Sequence, residues 1–472
     1  MPLHVLIATA EFDPLVKVGG LGEAVSGLAS ALCDLGVQVT IVVPDYPVDF
    51  AHDASWQIDI ADWAGGVARV RSAHRPGTGD IHAISVEGIE RPGPYVDPAT
   101  GQGWSDNDRR FAHFSVAVAA MARRIDPDVV HLNDWHTAMA AAWLPPHRCV
   151  LGVHNLAHQG WCDPGWLAVL GGQAAAFAHH GACNPLAGAI RLCSRVVAVS
   201  PGHAAEIVRP GGGFGLERDL AQRGDRLVGI RNGIDMARWN PAVDPLLPVN
   251  FSLKDLSGKE LCRKELLHEV DLDHDAGPVI AVVSRFVHQK GIDLVCNLLP
   301  FLAGAPASLV MHGSGDPSLI AAAEQASAAW PGEVRFLPGY DEDFAHLLVA
   351  GSDLLLMPSR FEPCGLTQMQ AMACGTLPVV TAVGGLADTV VDGDRSSGRG
   401  TGFVALHAET ASVVDAMHRA VRGWRNPRRR LAMQRRAMNH DWSWRVPGEQ
   451  YLGIYRAVHA GVRVRAVDRP GL

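Results

Sequence analysis

The stretch Pro358–Gly375, PSRFEPCGLTQMQAMACG, limits what this chain can fold into more than any other. An apolar run, Asp353-Leu-Leu-Leu-Met357, precedes it and reads as a strand buried on both faces. Leu366–Cys374 reads as a short helix closed by Gly375. Glu362, Pro363 and Cys364 then occupy the turn at the carboxyl end of a strand. Open α/β sheets bind their ligands at that edge. A carboxylate there does not favour a bare phosphate. It suits sugar hydroxyls, which donate hydrogen bonds to it.

The same strand, polar turn and helix recur along the chain. Leu3–Ala10 reads as a strand, followed by Lys17, Gly19, Gly20 and Gly22 and a helical pattern that runs to Leu35. Val37–Val43 is the next strand, so this is a βαβ unit with a glycine-rich loop at a helix start. The loop presents backbone N–H groups and a positive helix end to an anion, and Lys17 adds a charge. A third glycine is missing, since Val25 stands in its place, so the dinucleotide fingerprint is incomplete. A nicotinamide oxidoreductase is disfavoured on that ground. Strands at Val129–Leu132, Val150–Val153 and Arg195–Val199 end in Asn133-Asp134-Trp135-His136, His154-Asn155 and Ser200-Pro201. One such group alone reads as a helix cap or a core residue. Their recurrence at strand ends points to a ligand edge. Residues 51–105 show no regular pattern.

Asn232-Gly233 and three prolines within Gly229–Ser252 mark a domain junction. Beyond it, Val279–Ser284 leads to Arg285 and Lys290, and Ser308–His312 leads to Gly313. Val334–Leu337 leads to Gly339-Tyr340, and Leu377–Thr381 to Gly384-Gly385. A chain of 472 residues is too long for one ordinary domain. The expected fold is α/β: two doubly wound Rossmann-like domains, 1–245 and 246–448, then a helix over Glu449–Val462 and a tail to residue 472.

Arg285, Lys290 and the helix start at Gly384-Gly385 suit a diphosphate, and Glu362 suits hydroxyls. Together they describe a sugar nucleotide whose diphosphate leaves toward fixed cations. Taken singly, Arg285 and Lys290 also fit a surface ion pair, Glu362 a helix-terminal acid and His154 a core group. Cys364 reads as a small buried residue lining the turn. No clustered Asp/Glu pattern offers a divalent-ion site, so no metal and no cofactor is expected. A net charge of −8 argues against nucleic acid, and the basic run Arg428–Arg436 reads as a solvated helix face. Nine cysteines without CxxC spacing read as reduced thiols. No apolar run is long enough to span a bilayer, and no basic residue precedes residues 3–10 as in a signal peptide. A cytoplasmic protein without a membrane partner is expected.

These residues carry a family resemblance over nearly the whole chain. Lys17-Val-Gly-Gly-Leu21, Asn133-Asp-Trp-His136, Val153-His-Asn-Leu156 with Gln159-Gly160, and Asn232-Gly-Ile-Asp235 resemble the bacterial glycogen synthases and plant starch synthases. So do Val283-Ser-Arg-Phe286 with Gln289-Lys-Gly291, the long block 358–368, and Gly384-Gly-Leu-Ala-Asp-Thr389. The resemblance implies the GT-B fold, two domains facing across a cleft. It implies transfer of glucose from ADP-glucose to the non-reducing end of an α-1,4-glucan, with retention. A relative using UDP-glucose or another acceptor is the alternative. By the same resemblance, Lys17, Gly19 and Gly20 approach the donor phosphates and acceptor, and His154 lies at the glucose. Arg285 and Lys290 hold the diphosphate, Glu362 binds glucose hydroxyls, Cys364 lines the donor pocket, and Gly384 and Gly385 cap the phosphate. Glu23, Asp134, His136, Asn155, Asn184 and Asn232 join the substrate-binding set. Gly313 and the Gly365-Leu366-Thr367 segment complete it. Glu23, His158 and Ala187 depart from the family's usual Asp, Tyr and Lys.

Overall fold

A computed structural model describes residues 2–48, 50–88, 90–97, 100–272, 277–302, 307–396 and 398–461. The chain divides into two units, Met1–Gly233 with Trp444–Leu472, and Ile234–Ser443. The expected tail beyond Gly461 lies outside the described residues.

The first unit is built on a sheet of nine strands. These are β1 (His4–Ala8), β2 (Gln38–Pro44), β3 (Ala54–Asp59), β4 (Val67–Arg75), β5 (Gly79–Val86), β6 (Val129–Asn133), β7 (Cys149–Val153), β10 (Arg195–Ala198) and β11 (Leu227–Gly229). A separate small hairpin supplies β8 (Ala178–His179) and β9 (Ala182–Cys183). The sheet order is β11-β10-β7-β6-β1-β2-β5-β4-β3. All neighbours are parallel except β5, β4 and β3, which form an antiparallel edge. The period of two along β1 explains its unbroken apolar sequence. Leu6 and Ala8 enter one apolar cluster and Val5 and Ile7 the opposite one, so both faces are covered. The antiparallel edge occupies part of 51–105, where no pattern was expected. Along Val67–Arg75 buried residues alternate with more exposed ones, because one face meets solvent.

The helix Arg445–His459 packs onto this unit. Tyr455 is fully buried, and its hydroxyl lies 2.8 Å from His131 Nδ1 on β6. Gly27 leaves room for Trp444, since a Cβ there would sit 2.0 Å from the indole nitrogen.

The second unit holds a six-stranded parallel sheet. Its strands are β12 (Val279–Val283), β13 (Ser308–Gly313), β14 (Val334–Pro338), β15 (Leu354–Met357), β16 (Leu377–Thr381) and β17 (Phe403–Ala405), in the order β14-β13-β12-β15-β16-β17. The units change over at Gly233, earlier than the expected boundary at 245. Trp239 stacks on His346 at 3.9 Å, and buried Asp244 lies 2.7 Å from His346 Nδ1. Those contacts tie the proline-rich stretch to the second unit.

Candidate active site

In a doubly wound sheet the ligand crevice opens where the strand order reverses. In the first unit that point lies between β1 and β6. The β1 loop is organised by Glu11, a residue the sequence reading passed over. Its buried Oε2 accepts the N–H groups of Val18 (2.7 Å) and Gly19 (2.9 Å), and Oε1 accepts the Tyr95 hydroxyl (2.5 Å). These amides had been expected to meet an anionic ligand. A carboxylate of the chain itself holds two of them. Lys17 is also balanced, 3.4 Å from Glu23 and 3.8 Å from Asp13. A Cβ on Gly19 would meet no protein atom within 4 Å, so packing does not demand glycine there. Close approach of a ligand would. Gly20 opens the helix Gly20–Asp34, whose positive end faces the same loop.

Asp134 follows β6 with a positive φ of 55°. Its Oδ1 accepts the N–H groups of His154 (2.7 Å) and Asn155 (3.4 Å). Burial raises its carboxyl to about 7, against the pull of those two donors. His154 Nε2 lies 2.9 Å from Asn133 Oδ1, and the Asn133 amide donates to Ala8 O. The imidazole therefore carries its proton on Nε2 and offers Nδ1 as an acceptor. Burial, and then His203, lower its pKa to about 4. A neutral ring with a fixed tautomer suits a hydroxyl.

Three expected binders also carry structural duties. His136 is packed among Tyr95, Phe111 and Trp135, with ring centroids 4.4–4.9 Å away, and burial holds its pKa well below the usual value. Asn184 is fully buried. It caps the helix Pro185–Leu192 by accepting Ala187 N–H and donates to Gln159 Oε1 at 2.7 Å. Asn155 accepts Ala157 N–H and shapes its own turn. Short polar side chains at loop ends serve caps and turns as readily as ligands, so sequence did not separate the two. Asn232 is buried beside the unit boundary, and its Oδ1 has no hydrogen-bond partner among the described residues.

In the second unit the order reverses between β12 and β15. Their loops carry Arg285 to Lys290 and Ser359 to Glu362. The two loops are stapled together. Arg360 N–H donates to Gln289 O, Gln289 donates to Phe361 O, and Arg360 forks onto Asp293 at 2.6–2.8 Å. At their meeting point Lys290 Nζ lies 2.5 Å from Glu362 Oε2, and Ser359 Oγ donates to the same oxygen at 3.2 Å. Glu362 is 5 % exposed. Sequence had assigned Lys290 to phosphate and Glu362 to hydroxyls. The structure joins them in one ion pair. Arg285 projects into solvent, and no carboxylate pairs with it among the described residues.

Gly291 makes the staple possible. It has φ 69°, and a Cβ would sit 2.3 Å from Pro358 O. Gly291→Ala is expected to cost at least about 1–2 kcal/mol from the left-handed conformation alone. A fall in the urea midpoint with unchanged slope checks this.

Gly384 and Gly385 open the six-residue helix Gly384–Thr389. Gly385 N–H donates to Glu362 O at 3.0 Å, and a Cβ there would meet Cys364 O at 2.1 Å. The amide expected to cap a phosphate thus braces the Glu362 turn. Cys364 is buried against that glycine, Gly365 has φ 71°, and Leu366 and Thr367 lead into the helix Thr367–Ala373. Gly313 ends β13, where a Cβ would meet Ser284 O at 2.0 Å. Tyr340, at the end of β14, is 59 % exposed and stacks on His312 at 6.2 Å. Among the described residues no cluster of three or more His, Cys, Asp or Glu is arranged to hold a metal ion.

Two parallel α/β units, each with polar groups gathered at its switch point, define a two-domain glycosyltransferase of the GT-B fold. Comparison with known proteins narrows the class. Residues 4–222 match the starch synthase catalytic domain model, and residues 264–438 match the model of glycosyl transferases group 1. The chain is 37 % identical to a glycogen synthase of Acidiphilium cryptum, covering 97 % of this chain and 99 % of that one. It is 38 % identical to a glycogen synthase of Novosphingobium aromaticivorans, covering 98 % and 99 %. The catalytic domain of starch synthase IV from Arabidopsis thaliana, solved with ADP and acarbose, superposes with a TM-score of 0.87 at 29 % identity, over 98 % of this chain and all of that one. The chain belongs to the family of bacterial glycogen synthases and starch synthases, and it is a glucosyltransferase.

Proposed function

We propose that the protein transfers glucose from ADP-glucose to the non-reducing end of an α-1,4-glucan with retention of configuration. The carrying observation is the Lys290–Glu362 pair with exposed Arg285 at the switch point of the second sheet. Glu362 accepts hydroxyls of the donor glucose. Arg285 and Lys290 receive the charge that develops on the departing diphosphate. The exposed ring of Tyr340, on the same sheet edge, gives the adenine a flat face. In the first unit the neutral ring of His154 suits a sugar hydroxyl, and the open side of Gly19 leaves room for a ligand. The bond from the glucose anomeric carbon to ADP breaks. A bond to the acceptor hydroxyl forms on the same face, and the acceptor proton passes to the departing diphosphate oxygen. Retention by two carboxylates flanking the bond finds no support here, since Glu362 is tied to Lys290. No helix among the described residues is long and apolar enough to cross a membrane. All nine cysteines are free, which suits a reducing compartment such as the cytoplasm.

The test offers radiolabelled ADP-glucose and UDP-glucose, each with glycogen, and counts label in the precipitated polymer. ADP-glucose is expected to give the greater kcat/KM by tenfold or more, about 1.4 kcal/mol. Equal incorporation, or a preference for UDP-glucose, would overturn the donor assignment.

A further inference from the structure

The loop that carries His154 continues into a surface with no role in the reaction described so far. Trp161 lies on that loop with 48 % of its surface exposed. An exposed indole presents a flat apolar face with a polar N–H at its edge. A slack loop does not account for the exposure. Cys162, the next residue, exchanges backbone hydrogen bonds of 3.0 and 3.2 Å with Cys183 on β9. Trp161 is thereby fixed to the β8–β9 hairpin.

That hairpin turns through His180 and Gly181, with φ values of 46° and 78°. Two consecutive positive φ values are the signature of a tight two-residue turn. Glycine is at home there, whereas a side-chain-bearing residue such as His180 is uncommon. The turn carries His180 beside the indole, with ring centroids 6.4 Å apart and planes 21° from parallel. His179 stands 5.3 Å from the indole and 4.2 Å from His180. Arg191 Nη2 donates to His179 Nδ1 at 3.0 Å and is itself forked onto Asp219. The His179 proton therefore sits on Nε2. Burial first, then His180 and Arg191, lower its pKa, which keeps the ring uncharged. Behind the hairpin, Asn184 and Gln159 bond each other and lock this segment to the His154 loop.

A flat exposed indole beside a pair of imidazoles, one of them held neutral by burial, is a poor place for a phosphate. Arg191, the cation behind it, is already neutralised by Asp219. The surface suits an uncharged ligand with one apolar face and a rim of hydroxyls, which is the chemistry of a hexose ring in a glucan. We propose that Trp161, His179 and His180 form a stacking platform for a sugar unit of the acceptor glucan, apart from the unit that reacts. This rests on the reading that the acceptor is a glucan.

The test compares wild type, Trp161→Ala, Trp161→Phe and His180→Gly. His180→Gly suits the positive φ, so it folds even if Trp161→Ala does not. Trp161→Ala is expected to raise KM for glycogen about five- to tenfold. It should change kcat and KM for ADP-glucose less than twofold. Trp161→Phe should stay within about twofold of wild type, and His180→Gly should fall between. Retardation in native gels containing glycogen, run without donor, should weaken in the same order. If transfer is intact and both Trp161→Ala and His180→Gly match wild type in KM and retardation, the platform falls and the proposed function stands. If wild type transfers nothing to glycogen but is retarded through Trp161, the proposed function falls and the platform stands.

Discussion

Arg285→Ala is expected to lower turnover about 10²–10³-fold, the usual effect of removing one group that stabilises developing charge, about 2.7–4 kcal/mol. Folding should be untouched. Arg285 is exposed and carries no ion pair among the described residues, so its loss should shift unfolding by no more than about 0.5 kcal/mol. The cost should fall on kcat more than on KM for the donor. A bound sugar nucleotide already carries the diphosphate charge, but the leaving oxygen gains more only as its bond to glucose breaks. Arg285→Lys keeps the charge and loses the planar fork, so it should recover part of the rate. Single-turnover assays with labelled ADP-glucose, run beside a urea titration, measure both quantities. A folded Arg285→Ala variant with wild-type turnover would remove this residue from the chemistry.

The exposure that makes Arg285 a clean test was not legible in the sequence. Sequence located the strand ends well, because strands buried on both faces are unbroken apolar runs such as Val279–Val283 and Leu354–Met357. It could not say which strands are neighbours. The reversal between β12 and β15 brings residues 285–291 and 358–362 to one place. Chain order keeps them some seventy positions apart, as the Lys290–Glu362 separation of 72 shows. The same gap explains Glu11 and Tyr95, which are 84 positions apart. Glu11 does stand just past the first strand, where Asp134 and His154 were noticed for that reason. Tyr95 lies in the stretch without periodicity, and no signal marked it. The glycines divide differently. Gly19 has open space beside it, while Gly291, Gly313 and Gly385 are demanded by backbone within 2.3 Å of an added Cβ. A sequence motif records all four alike, so it does not show which glycines chain packing already requires.

Lys290 and Glu362 can be separated only by a cycle of variants, because each now has a structural and a chemical duty. Lys290→Met leaves the Glu362 carboxylate, 5 % exposed, without its cation. Breaking a buried pair from one side typically costs about 3–5 kcal/mol, and the lower end is expected because the Lys290 side chain is 18 % exposed. Glu362→Gln should cost less, since a freed lysine can turn its ammonium toward water. The double variant Lys290→Met with Glu362→Gln removes both charges. It should regain most of the stability, with a coupling of about 1–3 kcal/mol between the two sites. Activity should not follow. With the carboxylate gone the donor hydroxyls lose their acceptor, and with the ammonium gone the diphosphate loses a cation. Turnover should stay at least about 10²-fold down in all three variants. Urea midpoints and kcat measured on the same preparations decide the matter. If activity returned along with stability, the pair would be only a brace between two loops, and the chemistry assigned to it would have to move elsewhere. If stability returned without activity, the second unit would hold its hydroxyl-binding carboxylate and its cation ready by keeping each occupied with the other.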